Sequence, residues 1–355
     1  MPTSHARRKL DHLRICSDRD VSSELTTALE RYRLPHCALP EMALQDVDLS
    51  TRFLGKALRA PVLISAMTGG TARAAEINRN LAAAAQALGV AMCLGSQRAA
   101  LEDPRCAATY QVRAVAPDVL LFANLGAVQL NYGYGPHECR RAVEMIGADA
   151  LVLHLNPLQE ALQPHGNTNF AGLLDRIAAV CRSLDVPVVV KEVGWGISEQ
   201  VARQLAEAGV AALDVAGAGG TSWSQVEKHR AANPLQARVA ADFANWGIPT
   251  ADAILLARRG APNLPIIASG GIQSGPEAAV ALALGADLVG VARPLLGPAT
   301  ISAQAVQDEL QVLMDGLRIA IFTAGLRDIP SLKAAPLEQL PFTHKQAPGR
   351  RTSVS

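Results

Sequence analysis

The stretch IIASGGIQSGP (266 to 276) has the residue types of an anion cradle. Gly270 and Gly271 let backbone amides approach a phosphate with no Cβ in the way. Ser274 to Pro276 then opens a helix whose first N–H groups and positive dipole end would face the same spot. GAGGTSW (217 to 223) adds Gly219, Gly220 and the hydroxyl of Thr221, and GVARP (290 to 294) supplies a third small-residue turn. A helix end alone stabilises a charge by roughly 0.3 to 1 kcal/mol, so tight binding needs several amides and a hydroxyl together. One glycine turn is only a turn. Three, each following a short apolar run, form a phosphate cup of the kind that α/β barrels carry after their last strands.

Other apolar runs end in an unusual set of polar groups. Ala66, Met67 and Thr68 close one run, and Ser96, Gln97 and Arg98 close the next. Asn124 ends a third. His154, Asn156, Gln159 and Glu160 follow a fourth in HLNPLQE, and Lys191 lies in a fifth in VKEVG. Such groups are costly to bury unless they meet a ligand. Lys191 admits three readings: stabilising negative charge on the pyrimidine edge of a flavin, pairing with Glu192 or another carboxylate, or forming a Schiff base. The surrounding amides suggest a ring to be hydrogen-bonded.

These groups need a scaffold that brings distant stretches to one face. From about residue 61 short apolar runs alternate with helix-patterned segments, the rhythm of βα units around a parallel sheet. Eight strands are expected, at 61–67, 91–96, 119–126, 150–156, 187–193, 211–217, 265–271 and 288–294. Helical patterns such as AEINRNLAAAAQAL, PHECRRAVEMIG and PEAAVALALG lie between them, several closed by glycine. The fold class is α/β, a (β/α)8 TIM barrel with an N-terminal extension. An open doubly wound sheet is disfavoured because no GxGxxG follows the first strand. Residues 1–60 read as an arm, with one short helix in SSELTTALERYR; 61–340 form the barrel, and 341–355 a flexible tail. The long connection near 218–250 reads as a lid or ligand loop.

Composition narrows the partners. Lys plus Arg number 33 against 32 Asp plus Glu, so no general field draws nucleic acid or an anionic membrane. The six cysteines form no CxxC pair, which fits reduced thiols in the cytoplasm. No apolar stretch is long and uninterrupted enough to span a bilayer, and the basic N-terminus lacks the apolar core of a signal peptide.

The order of motifs resembles the type 2, FMN-dependent isopentenyl diphosphate isomerases. The resemblance runs from RKLDH (8 to 12) through DVDLSTRFLGK, ISAMTGG, LGSQRAALEDP, ANLGAVQL, HLNPLQEALQP, VKEVGWGIS, AGAGGTSW, NWGIPTADAI and SGGIQSG to LRIAIFTAGLRDI. It implies interconversion of isopentenyl and dimethylallyl diphosphate in isoprenoid precursor biosynthesis, with reduced FMN as acid and base, Mg²⁺ on the diphosphate and NADPH as reductant. FMN would touch Ala66, Met67, Thr68, Ser96, Asn124 and Lys191, then Thr221, Gly270, Gly271, Ile272, Ala292 and Arg293. Arg8, Lys9, His12, Ser96, Gln97 and Arg98, with His154, Asn156 and Gln159, would bind substrate. Gln159, His154 and Lys191 would serve catalysis, and Glu160 would hold the metal, a hard oxygen for a hard cation. Trp223 is either a cation–π partner of a developing positive charge or a packed lid residue. A homo-oligomer, tetramer or octamer, is also implied.

One departure stands out: HGNTNF follows HLNPLQEALQP where the family more often carries acidic residues, so His165 and Asn167 put part of the metal loop in question. Rival FMN barrels fit less well. A 2-hydroxy acid oxidase needs a histidine base beside an arginine, and DFANWGIPT has none. An inosine-monophosphate dehydrogenase needs a cysteine after the sixth strand, and none follows Cys181. A non-catalytic phosphate-binding barrel leaves Gln159, Glu160 and Lys191 unexplained.

Overall fold

The computed structural model describes residues 4–340, so the tail expected at 341–355 lies outside the described residues. Eight parallel strands close a barrel: β1 (Val62–Ile64), β2 (Ala91–Cys93), β3 (Leu121–Gly126), β4 (Ala150–His154), β5 (Val188–Lys191), β6 (Ala212–Asp214), β7 (Ile266–Ser269) and β8 (Leu288–Val291). All eight fall inside the expected windows, shortened because the flanking residues peel away into loops. The barrel fold read from the sequence is therefore the one observed.

Side chains alternate along each strand with a period of two. Leu63, Cys93, Phe122, Val152, Val189, Ala212, Ile267 and Leu288 pack together inside the barrel. Their neighbours, such as Val62, Ile64, Leu151 and Val190, join a second core under the helices. Two residues further along, the inward positions carry Ser65, Asn124, His154, Lys191, Asp214 and Ser269. The same alternation that fills the barrel with aliphatic groups thus ends in a polar floor at its C-terminal mouth. The opposite mouth is plugged by the hairpin Thr51–Phe53 and Lys56–Leu58, whose Phe53 and Leu58 enter the inner cluster.

Helices form where capping signals sit. Thr71 accepts from the Ala74 amide to start Ala72–Leu88, which ends on Gly89 at φ 66°. Ser274 and Glu277 form a capping box at the start of Gly275–Ala283. After β6 the chain makes two short helices, Trp223–Arg230 and Pro234–Ala241, before Thr250–Gly260.

The N-terminal region departs from expectation. SSELTTALERYR is not an α-helix: only Leu29–Arg31 turn, as a 3-10 segment, and Tyr32–Arg33 pair with Glu338–Gln339. The hydroxyls of Ser23, Thr26 and Thr27 capture the amides of Leu25, Ala28 and Leu29, diverting the backbone from helix bonds. Ala28 sits at φ 58°, which a helix cannot accommodate. The arm's helix is instead Ser4–Asp18, a polar segment lying against Trp223–Arg230.

Candidate active site

One cavity of about 310 Å³ opens at the C-terminal mouth, a volume suited to a small molecule. The β6, β7 and β8 ends form one side of it, through Gly219, Gly220, Thr221, Gly270, Gly271 and Ile272, continued by Ala292 and Arg293. Two glycine turns nest here backbone to backbone. Gly270 and Gly271 have φ of 104° and 82°, and a Cβ on Gly270 would fall 2.1 Å from the Gly217 carbonyl oxygen. A Cβ on Gly220 would lie 2.6 Å from the Gly271 nitrogen, filling the space over that amide. Thr250 Oγ1 donates to the Gly270 carbonyl, and Arg293 donates to Ser22 Oγ at 3.1 Å, tying the turn to the arm.

The helix start at Ser274 to Pro276 does not contribute as expected. The Glu277 carboxylate accepts from the amides of Gln273 and Ser274 at 2.9 and 3.0 Å, so the chain's own side chain satisfies that end. The glycine turns line the cavity, whereas Ser274, Gly275 and Pro276 do not. Gly220→Ala should therefore lower FMN affinity by roughly ten- to a hundredfold, the loss of one or two hydrogen bonds to a charged group. Equilibrium dialysis against FMN measures this, and unaltered affinity would show that no phosphate rests on the Gly271 amide.

On the cavity floor Ala66, Met67, Thr68, Ser96, Asn124 and Lys191 lie together. Asn124 Oδ1 lies 2.9 Å from His154 Nδ1, while Asn124 Nδ2 donates toward Cys93 Sγ. This network puts the imidazole proton on Nδ1 and leaves Nε2, beside Gly126, as an acceptor. Burial, with Lys191, Lys9 and Arg8 nearby, pushes the His154 pKa down to about 3, so the ring is neutral. Lys191 donates to the Glu192 carbonyl and forms no ion pair among the described residues. The Glu192 carboxylate is occupied by the Val193, Gly194 and Trp195 amides at 2.6, 2.8 and 2.6 Å. The Lys191–Glu192 salt bridge is thus not made. Asp214, missed in the sequence, lies beside Lys191 in register and accepts from Ser269 Oγ at 2.6 Å. Its signal was legible: an acid at an inward position of a buried strand.

The far side of the cavity is cationic. Arg8, Lys9, His12 and Arg98 line it together with Asn156, Gln159 and Glu160. Asn156, Gln159 and Glu160 are buried at the start of the short helix Pro157–Leu162. Glu160 accepts from Asn156 Nδ2 at 3.1 Å, from the Asn167 amide at 2.5 Å and from Gln163 Nε2. Asn167 makes this contact with its backbone amide, so the bond does not depend on the side chain at that position. Gly166 is required beside it, since a Cβ there would sit 1.8 Å from the Glu160 carbonyl oxygen.

Gln159 leads to a second residue the sequence did not reveal. Its Nε2 lies 3.4 Å from Glu227 Oε1, which also meets His12 Nε2 at 3.1 Å, while Arg230 holds Glu227 Oε2 at 2.5 Å. Burial raises the Glu227 pKa, but His12 and Arg230 outweigh it and keep the group ionised. The Trp223 ring meets His12 edge-on at 5.0 Å. Of the candidate site residues only Gln97 stands outside this cavity. It is fully buried, donates to the Ala142 carbonyl at 2.8 Å and accepts from the Asn124 amide at 3.0 Å, so it braces the β3 end.

Three buried oxygens facing this space, Ser65 Oγ, Thr68 Oγ1 and Asn156 Oδ1, have no hydrogen-bond partner. Orphaned buried polar atoms beside a phosphate cup fit a polar ring with a phosphate tail such as FMN. The sequence pattern of the FMN-dependent dehydrogenase family matches residues 7–114 and 141–339. Isopentenyl-diphosphate delta-isomerases of Synechococcus sp. and Stutzerimonas stutzeri are 54% and 55% identical, over 93% and 94% of this chain and 95% and 97% of theirs. The chain belongs to the FMN-dependent isopentenyl-diphosphate delta-isomerases. A more distant isomerase of this family, from Rickettsia bellii, is 49% identical over 93% of the chain and 97% of its own length.

Solved structures of a mandelate oxidase and a lactate oxidase from Pediococcus acidilactici superpose on the isomerase with TM-scores of 0.65 at 19% identity. They cover 94% of this chain and 95% and 91% of theirs. At that identity they share the barrel, and the chemistry must be argued from the site.

Proposed function

We propose that this isomerase interconverts isopentenyl and dimethylallyl diphosphate on reduced FMN with Mg²⁺. One observation supports the reading: a single cavity is lined at one side by the glycine turns at β6 to β8 and at the other by basic side chains around Glu160. One suits the phosphate of a cofactor and the other the diphosphate of a substrate.

Moving a double bond requires a proton given at one carbon and taken from another, and no ordinary side chain protonates an unactivated alkene readily. Reduced FMN supplies a ring nitrogen that can exchange a proton with an alkene held against its face. The chain's residues do the rest. Lys191, Asn124, Ser96 and Thr68 would hold the ring, with Ala66 and Met67 packed against it and the ammonium favouring its anionic reduced form. Thr221, Gly270, Gly271, Ile272, Ala292 and Arg293 would hold the phosphate. Neutral His154 would offer Nε2 as an acceptor. Gln159, backed by Glu227, would orient the allylic end, and Trp223 and His12 would close the cavity against water.

Arg8, Lys9, His12 and Arg98, with Ser96 and Asn156, would receive the diphosphate. Among the described residues Glu160 is the one carboxylate lining the cavity. It fits a cation that keeps waters and takes its remaining oxygens from phosphate, and a Mg²⁺ there would neutralise diphosphate charge. NADPH as reductant, a homo-oligomeric tetramer or octamer and a cytoplasmic location complete the proposal. No helix among the described residues is long and apolar enough to cross a membrane.

The test is an assay of the purified protein with isopentenyl diphosphate, Mg²⁺ and FMN, with and without dithionite. Dimethylallyl diphosphate should form only under reduction. Equal conversion by flavin-free protein would refute the reading.

A further inference from the structure

We propose that Tyr110 is a positioning residue for Lys9, seating the N-terminal helix over the cavity so that a bound diphosphate completes its closure; this rests on the proposed function. Tyr110 is fully buried at the end of the 3-10 segment Pro104–Tyr110. That segment is fixed to the barrel. Thr109 Oγ1 accepts from the Gly70 amide at 2.9 Å, and Asn78 Nδ2 donates to the Thr109 carbonyl at 3.2 Å. The ring is pressed against Gly69, where a Cβ would come within 2.0 Å of it. The phenol is thus a rigid fixture.

Onto it comes a side chain from the other end of the chain. Lys9 Nζ donates to Tyr110 Oη and to the Ser96 carbonyl, each at 2.7 Å, and Tyr110 Oη donates to the same carbonyl at 2.8 Å. The ammonium lies 5.2 Å from the ring centroid, which adds cation–π attraction. Both Lys9 acceptors are uncharged. Its neighbour Arg8 likewise donates to a neutral oxygen, Gln163 Oε1, at 3.1 Å. Two further cations at this rim are paired: Arg98 with Glu102 at 2.7 Å, and Arg230 with Glu227. The helix therefore brings two basic side chains into the cavity wall, each hydrogen-bonded to uncharged oxygens, while the Glu160 and Glu227 carboxylates act on Arg8 only through space. Burial and Arg8 together push the Lys9 pKa down to about 7. An arriving anion removes that penalty and stabilises the docked helix.

A double-mutant cycle on the FMN-loaded protein tests this, with calorimetry of Mg²⁺-pyrophosphate binding and steady-state kinetics as readouts. Tyr110→Phe keeps the ring and deletes the hydroxyl. It should weaken pyrophosphate binding and raise KM by about tenfold, the low end for one hydrogen bond to a charged group. FMN affinity and kcat should stay at wild-type values. In a Lys9→Ala background the same substitution should have no further effect, because Tyr110 acts through Lys9. Additive losses, or a fall in kcat and FMN affinity alongside KM, would overturn the proposal in favour of plain packing. Lys9→Ala that leaves pyrophosphate binding intact would instead overturn the diphosphate reading of this rim. Wild-type protein provides a check that needs no substitution: Mg²⁺-pyrophosphate should slow tryptic cleavage after the exposed Arg14, and an unchanged rate would contradict closure.

Discussion

Lys191→Ala should give a folded barrel that holds FMN about 10- to 100-fold more weakly and, once loaded, reduces it at a more negative potential. The range is that of one hydrogen bond between charged partners. Lys191 stands at the inward end of β5, in register with His154 and Asp214, and no carboxylate pairs with it. An ammonium held there without a salt bridge is available to a ring that gains negative charge on reduction. Removing it should hurt the reduced cofactor more than the oxidised one, and the potential falls for that reason. Flavin fluorescence titration measures the affinity, and equilibration with a reference dye measures the potential. If both matched the wild type, Lys191 would be only a staple for the Glu192 carbonyl.

Glu160→Gln should act at the other end of the cavity. The substitution keeps the shape, and its one amide oxygen can still accept from Gln163 and Asn167, but it removes the only carboxylate on the rim among the described residues. The Mg²⁺ concentration giving half-maximal activity should rise on the order of 10- to 100-fold, the scale seen when groups supporting a metal are lost. FMN affinity should be unaffected, because the glycine cup and floor are untouched. Chelator should abolish wild-type turnover and restore it on adding Mg²⁺. An unaltered Mg²⁺ dependence in the variant would remove Glu160 from the metal site.

Much of this was legible in the residues because buried parallel strands have few ways to be written. VLI, ALVLH and VVVK are short aliphatic runs, and period two dictates which polar residue after them points inward. Thr68, Asn124, His154 and Lys191 stand out as polar groups at the ends of such runs, costly to bury without a ligand, and Asn124, His154 and Lys191 fall in the inward phase. Gln97 lies outside the cavity because its amide bridges the Ala142 carbonyl and the Asn124 amide, partners that no strand pattern announces. S-G-P-E is itself a capping box, which ties up the Ser274 and Glu277 amides, and the helix start at Ser274 to Pro276 lies outside the cavity lining.

Other features have no local signature. Ser4–Asp18 carries few apolar residues and is defined by what it packs on. Its Lys9 and His12 find their partners about 100 and 215 positions away, at Tyr110 and Glu227. No periodicity encodes such pairings, because they exist only once the barrel has brought its loops to one mouth. SSELTTALERYR looked helical for the converse reason: its composition suits a helix, while its hydroxyls and its place beside Gly220 and Ala244 hold it in a loop.

The most direct test of the central claim follows the flavin and the alkene together. Holoprotein reduced with dithionite, freed of excess reductant and mixed with isopentenyl diphosphate and Mg²⁺ in deuterated water is monitored by visible absorbance and by NMR. Many turnovers to dimethylallyl diphosphate carrying solvent deuterium are expected, with the flavin still reduced at the end. Stoichiometric oxidation of the flavin, or product formed at the same rate by protein stripped of it, would contradict the claim.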